Sequence, residues 1–168
     1  MPVFTENIDV RANFYADTIT ARAGTFSDTW LNTSDRVIAS NLTHQFPIRH
    51  SQKNGTAVVA ESMPIFRAVA NCVINSFGVF NTAKPTGGDL TFTVDLQKST
   101  GGGAFASILT GVITRSSADA NLEFEAGTLS STTLVAGDAL LVVIAVAGST
   151  GTQGQGILCE AIIEQQGA

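Results

Sequence analysis

The chain has 168 residues, a formal net charge of −5 and only 14% charged residues, against about 25% in an ordinary soluble domain. With 44% apolar residues it is too hydrophobic for disorder along its whole length, and its size suits one independent domain rather than two large ones. A pI near 4.8 argues against a sequence-independent nucleic-acid binder, which needs a basic surface.

The amino terminus, Met1-Pro-Val-Phe-Thr-Glu-Asn-Ile-Asp9, has neither a basic stretch nor an apolar run, so a secretory signal is not expected. Through residue 63 the chain mixes Ser, Thr, Asn and charges with single apolar residues. Residues 1–63 are therefore read as an extended N-terminal arm that orders against partners. One short turn near 27–31, with Ser27 as its cap, is the only local element expected there. Residues 64–168 are read as the folded β domain.

Strand signals begin with Ile65–Ile74 and Ser76–Phe80. The clearest follows at Asp89–Lys98, where Leu90, Phe92, Val94 and Leu96 alternate with Thr91, Thr93, Asp95 and Gln97. That is a half-buried antiparallel strand. Thr86-Gly-Gly88 precedes it and Ser99-Thr-Gly-Gly-Gly103 follows it, both with turn chemistry. Phe105–Thr114, Asn121–Ala126, Ala139–Ala147 and Gly156–Glu164 complete the series. Such spacing predicts an all-β fold, an antiparallel β-sandwich or jelly roll.

Ala139–Ala147 reads Ala-Leu-Leu-Val-Val-Ile-Ala-Val-Ala, apolar on both faces. Nine residues are too few for a membrane-spanning helix, which needs about 20, and no membrane partner is expected. Leu140, Val142, Ile144 and Val146 can fill the core. Leu141, Val143, Ala145 and Ala147 then need a second cover, from the chain's own arm or from a neighbouring subunit. Leu141, Val143 and Ala145 are the candidate subunit interface.

A search for chemistry yields nothing catalytic. His44 and His50 lack further ligands at workable spacing, so no metal is expected. Glu123 and Glu125 share one strand face and are read as its solvated outer side, with Leu122, Phe124 and Ala126 turned inward. No nucleophile motif occurs. The Gly-rich stretch from Gly148 to Gly156 opens no helix, so it is read as a flexible hairpin loop rather than a phosphate cradle. Asn32, Asn41 and Asn54 head Asn-x-Ser/Thr triplets that carry no weight without a signal peptide. No segment interleaves basic and aromatic residues, so no nucleic-acid partner is expected. Ten Phe against one Tyr and one Trp, Trp30, point to core packing rather than a carbohydrate platform. Cys72 and Cys159 both sit in apolar runs and read as buried thiols; whether they pair stays open. No enzyme activity and no cofactor are expected. An assembly component remains.

The strands and turns themselves form a pattern. They run Gly88-Asp-Leu-Thr-Phe-Thr-Val-Asp-Leu-Gln-Lys98, Phe105-Ala-Ser-Ile-Leu-Thr-Gly-Val-Ile113, Phe124-Glu-Ala-Gly-Thr-Leu129, Leu134-Val-Ala-Gly-Asp-Ala-Leu-Leu-Val-Val143 and Gly156-Ile-Leu-Cys-Glu-Ala-Ile-Ile163. Asn41-Leu-Thr-His44, with Ala60-Glu61 after it, leads in. Over roughly residues 40–165 this resembles the jelly-roll cement or decoration proteins of tailed-bacteriophage heads, cyanophage heads included. The resemblance implies a structural virion protein, often a homotrimer, on the outer capsid surface. Its partner there is the major capsid protein, whose neighbouring copies it clamps against the pressure of packaged DNA. The alternative is a phage head or tail fibre, or a receptor- or glycan-binding β-sandwich domain. A Gly-Asp turn before an apolar strand also occurs in those domains.

Overall fold

A computed structural model describes residues 32–33, 36–37 and 44–165. The chain divides into two units, residues 1–39 and 40–168. In the first, β1 (Asn32–Thr33) pairs antiparallel with β2 (Arg36–Val37), Asn32 opposite Val37. The expected turn at 27–31, and Trp30, lie outside the described residues.

The second unit is all-β, with no helix among its described residues. Its strands are β3 (His44–Ser51), β4 (Glu61–Arg67), β5 (Cys72–Ala83), β6 (Thr91–Ser99), β7 (Phe105–Ser107), β8 (Ile113–Arg115), β9 (Phe124–Ala126), β10 (Thr133–Leu134), β11 (Ala139–Ala147) and β12 (Gln155–Gln165). One sheet runs β3-β12-β5, with β9 and β10 both on the far edge of β5. The other runs β4-β11-β6, with β7 and β8 both on the far edge of β6. All pairings are antiparallel. The chain alternates between sheets at β3–β4–β5–β6 and again at β10–β11–β12, and its first long strand lies beside its last. That is a jelly roll, two Greek keys wrapped into a sandwich.

The core follows from alternation in the four long strands. Phe92, Val94 and Leu96 of β6 and Leu140, Val142 and Ile144 of β11 are buried from one sheet. Phe77 and Val79 of β5 and Ile157, Cys159, Ala161 and Ile163 of β12 meet them from the other, in one continuous cluster. Leu90, expected with them, is half-buried because it lies just ahead of β6. Two bulges keep the inward sets in phase: Asn75 is skipped between Ile74 and Ser76, and Ile65 between Pro64 and Phe66.

Several expected boundaries shift. The sandwich begins at His44, not at Pro64, because β3 pairs with β12 along its whole length. Residues 44–63 are therefore part of the folded unit, and only the rest of the expected arm remains outside it or outside the described residues. β3 reads His-Gln-Phe-Pro-Ile-Arg-His-Ser. Its polar composition and central proline conceal a strand whose inward residues Phe46 and Ile48 pack on the core. Gln52 N donates to Ile157 O; by alternation the Pro47 nitrogen faces away from β12, on the edge that has no partner strand among the described residues, so no ladder bond to β12 is lost. Ile65–Ile74 is two strands. The apolar run continues through the crossover at 68–71, where Ala68 is fully buried and Val69 is 82% exposed. Phe105–Thr114 is likewise β7 and β8, separated by a turn.

Candidate interaction surfaces

Leu141, Val143 and Ala145 come together on the outer face of β11, opposite Leu140, Val142 and Ile144. Leu141 and Val143 are half-buried and Ala145 is exposed. Their flanks are polar or short. Leu141 lies between Gln97 and Pro64, and Val143 between Asp95 and Ser62. Asp95 is held there by Ser107 Oγ at 2.6 Å and Gln97 Nε2 at 2.9 Å. The strand thus lays a narrow aliphatic stripe along a polar sheet face.

The Glu123–Glu125 segment runs opposite to expectation. Phe124 is 53% exposed and Leu122 is 63% exposed, while Glu125 turns inward onto Arg115. That guanidinium is 1% exposed. Its Nη1 donates to Glu125 at 2.9 Å, its Nε to Asn81 Oδ1 at 2.9 Å and its Nη2 to the Ala120 carbonyl at 2.9 Å. Glu123 stands 3.8 Å off. A buried guanidinium needs a carboxylate and several acceptors, and this need decides which side of β9 faces in. Arg115 was not singled out from the sequence. Its signal was alternation with Ile113, which puts both on one face.

Phe124 faces out because Gly78 receives it. On the outer face of the β3-containing sheet, the row Phe124–Phe80–Leu158 crosses β9, β5 and β12, and the next row reads Ala126–Gly78–Glu160. The Phe124 ring lies against Gly78, where a Cβ would collide with it. Phe80, Phe124, Leu158 and Glu160 line a groove of about 210 Å³. Beyond Glu160 on β3, Arg49 Nε donates to its Oε2 at 2.5 Å. None of these four residues was picked out as a site from the sequence, since the groove depends on the register of three strands.

The remaining candidates are structural. His50 sits 3.1 Å from Glu61, which also accepts from Gln52 Nε2 at 3.0 Å. These bonds tie β3 to β4 across the flank. Chiefly through Gln52, with His50 adding to it, they hold the Glu61 carboxyl below its ordinary range. His44 stacks on Phe46, ring centroids 5.7 Å apart. Among the described residues no cluster of three or more His, Cys, Asp or Glu is placed to hold a metal. Cys159 lies opposite Val79 and Cys72 opposite Gln165. Cys72 and Val79 are seven residues apart along β5, about 23 Å at strand rise, so the two free thiols cannot pair. Burial pushes both thiols up, Cys159 to about 12, which keeps them protonated and unreactive.

The Gly-rich stretch is not a hairpin loop, because β11 and β12 belong to different sheets. It is a pinned crossover. Asp89 Oδ1 accepts from Ser149 N at 3.0 Å, Thr150 N at 2.7 Å and Thr150 Oγ at 2.7 Å. These donors, the Thr150 hydroxyl first, hold its carboxyl down to about 2. Gly148 has φ 92° and passes directly over the Asp89 carbonyl, where a Cβ has no room.

No protein-family model matches the chain, and no curated protein does.

Proposed function

We propose that the protein is a structural virion component. On this reading it decorates the outer surface of a tailed-phage capsid as a homotrimer and cements neighbouring copies of the major capsid protein. The observation that carries the reading is the jelly roll whose central strand β11 is apolar on both faces, Leu141 and Val143 lying outside the core. The strand-and-turn pattern over residues 40–165 supports it as well.

The physics of such a role is simple. A ligand that binds only the assembled shell stabilises it by mass action. Joining three copies converts the second and third attachments into intramolecular events, which multiplies the avidity. A closed three-fold ring gives each subunit the same cover for its Leu141–Val143 stripe and matches the local symmetry of an icosahedral lattice.

Quantitative mass spectrometry of purified particles tests the reading, with hundreds of copies per particle expected. A few dozen copies would sink it and favour a fibre, and none would sink both readings. Val143→Glu should shift sedimentation from trimer towards monomer while the circular dichroism spectrum stays native. A wild type that sediments as a monomer at tens of micromolar and does not bind capsids would also defeat it.

A further inference from the structure

The connection between β3 and β4 carries the one Asn-Gly step in the sequence, Asn54-Gly55. Residues 53–57 are exposed, while both ends of the connection are tied down. Gln52 N donates to the Ile157 carbonyl at 3.0 Å and Val58 N to the Gly154 carbonyl at 2.8 Å. The Gln52 side chain also bonds both the N–H and the carbonyl of Val59. Between these ties the turn is closed by Thr56 alone, whose N–H reaches the Lys53 carbonyl at 3.3 Å and whose hydroxyl reaches it at 2.5 Å. Neither bond involves the Asn54–Gly55 peptide, and the Gly55 N–H has no hydrogen-bond partner among the described residues. A side chain added at Gly55 would meet nothing within 4 Å, so the space over this peptide is open. The Asn54 side chain reaches across to Thr82 at the end of β5. The Thr82 hydroxyl donates to Asn54 Oδ1 at 2.8 Å and lies 3.0 Å from the Gln155 carbonyl. The bare backbone of Gly156 makes room for this contact, since a Cβ there would lie 2.9 Å from Oδ1.

We propose that Asn54 is a modification site, converted without an enzyme to aspartate and isoaspartate through a cyclic imide. Gly55 N loses its proton to solvent hydroxide and attacks Asn54 Cγ. The N–Cγ bond forms, negative charge collects on Oδ1, and the Cγ–Nδ2 bond then breaks, Nδ2 leaving as ammonia. Water next opens the imide. Cleavage between Gly55 N and Cγ gives an aspartate at this position. Cleavage between Gly55 N and the Asn54 carbonyl carbon gives the isoaspartyl linkage, in which the main chain runs through Cβ and Cγ. One water is taken up and one ammonia released, with no change of oxidation state. Two features select this asparagine. Glycine follows it, so no side chain screens the attacking nitrogen, and the Thr82 hydroxyl faces the oxygen that becomes negative. Asn71, Asn75, Asn81 and Asn121 are instead followed by Cys72, Ser76, Thr82 and Leu122. Each event adds one carboxylate to a chain whose formal net charge is already −5, and the isoaspartyl form lengthens the turn between its two anchors. The exposed β3–β4 connection thereby carries a chemical record of the protein's age, whether or not the capsid reading holds.

The test incubates the full-length protein in mildly alkaline and in mildly acidic buffer and follows the tryptic peptide 54–67 by mass spectrometry. Amide-to-acid conversion should accumulate in that peptide ahead of every other, faster in the alkaline buffer, with isoaspartate detected by isoaspartyl methyltransferase labelling. Anion exchange should resolve a growing, more acidic form. Asn54→Gln should lack that form, because its longer side chain has to close a larger and less favourable ring. Thr82→Val should slow the conversion by about fivefold, the worth of one hydrogen bond. An unchanged or faster rate in that variant would overturn the role given to Thr82. A synthetic peptide of residues 50–60 supplies the unrestrained rate. Folded protein that stays intact over the time in which this peptide is fully converted would overturn the proposal, since the turn would then hold Gly55 N out of reach of Cγ. Conversion of other asparagines at the same rate as Asn54 would overturn it too.

Discussion

Arg115 shows how one side chain sets the orientation of a whole segment. Its guanidinium is satisfied only while Asn81, Glu125 and the Ala120 carbonyl surround it, so Glu125 faces inward and Phe124 outward. Arg115→Ala strands the Glu125 and Asn81 partners, and should lower the unfolding free energy by about 3–5 kcal/mol. Glu123→Gln, at the exposed end of the cluster, should change it by less than about 1 kcal/mol. Urea denaturation of both variants measures the contrast, and similar losses would mean that Glu125 is not the carboxylate that matters. Asp89 gives a pH signature. Its carboxyl is held at about 2 in the folded chain against an ordinary 3.8, so the folded state binds the proton less tightly than the unfolded one. Its contribution is complete above pH 3.8 and is lost as pH falls towards 2. Melting temperatures taken across that window should fall more steeply for the wild type than for Asp89→Asn.

At the scale of elements, alternation is the strongest determinant. β6 buries Phe92, Val94 and Leu96, and its partner β11 buries Leu140, Val142 and Ile144, each in the phase that the sequence sets. Phe92→Ala should cost about 3–5 kcal/mol, and a measured loss below about 1 kcal/mol would place this ring outside the core. The short strands β7 to β10 behave differently. Each adds only two or three residues to the edge of a longer strand. Their own patterns are too brief to show a period, so tertiary contacts decide their orientation. The edge strands β3 and β4 each carry a proline, Pro47 and Pro64, which blocks continuous pairing with another chain on that flank.

For the molecule as a whole, the jelly roll closes when its first long strand reaches its last. β3 covers one edge of β12 and brings Phe46 and Ile48 onto the core. A chain beginning at residue 64 lacks that strand and leaves the β12 edge unpaired. It should fail to give a cooperative thermal transition by circular dichroism. A chain beginning at Ser40, the start of the second unit, should keep one. Cooperative melting of the shorter fragment would restore the boundary at residue 64 that composition alone suggested.

Sequence by itself determined the all-β class, the inward sets of the long strands and the doubly apolar character of Ala139–Ala147, because each of these is a property of local alternation. It could not place β3, whose few apolar residues become a core face only against β12. Nor could it separate β4 from β5, because the buried crossover at Ala68 continues the same apolar run. The side of β9 that faces in was settled by two distant residues, the buried charge of Arg115 and the bare backbone of Gly78. The Phe80–Phe124–Leu158–Glu160 groove had no local signal. It exists because the register of three strands stacks residues from separate stretches of the chain, and such long-range pairings are fixed only by the packed tertiary structure.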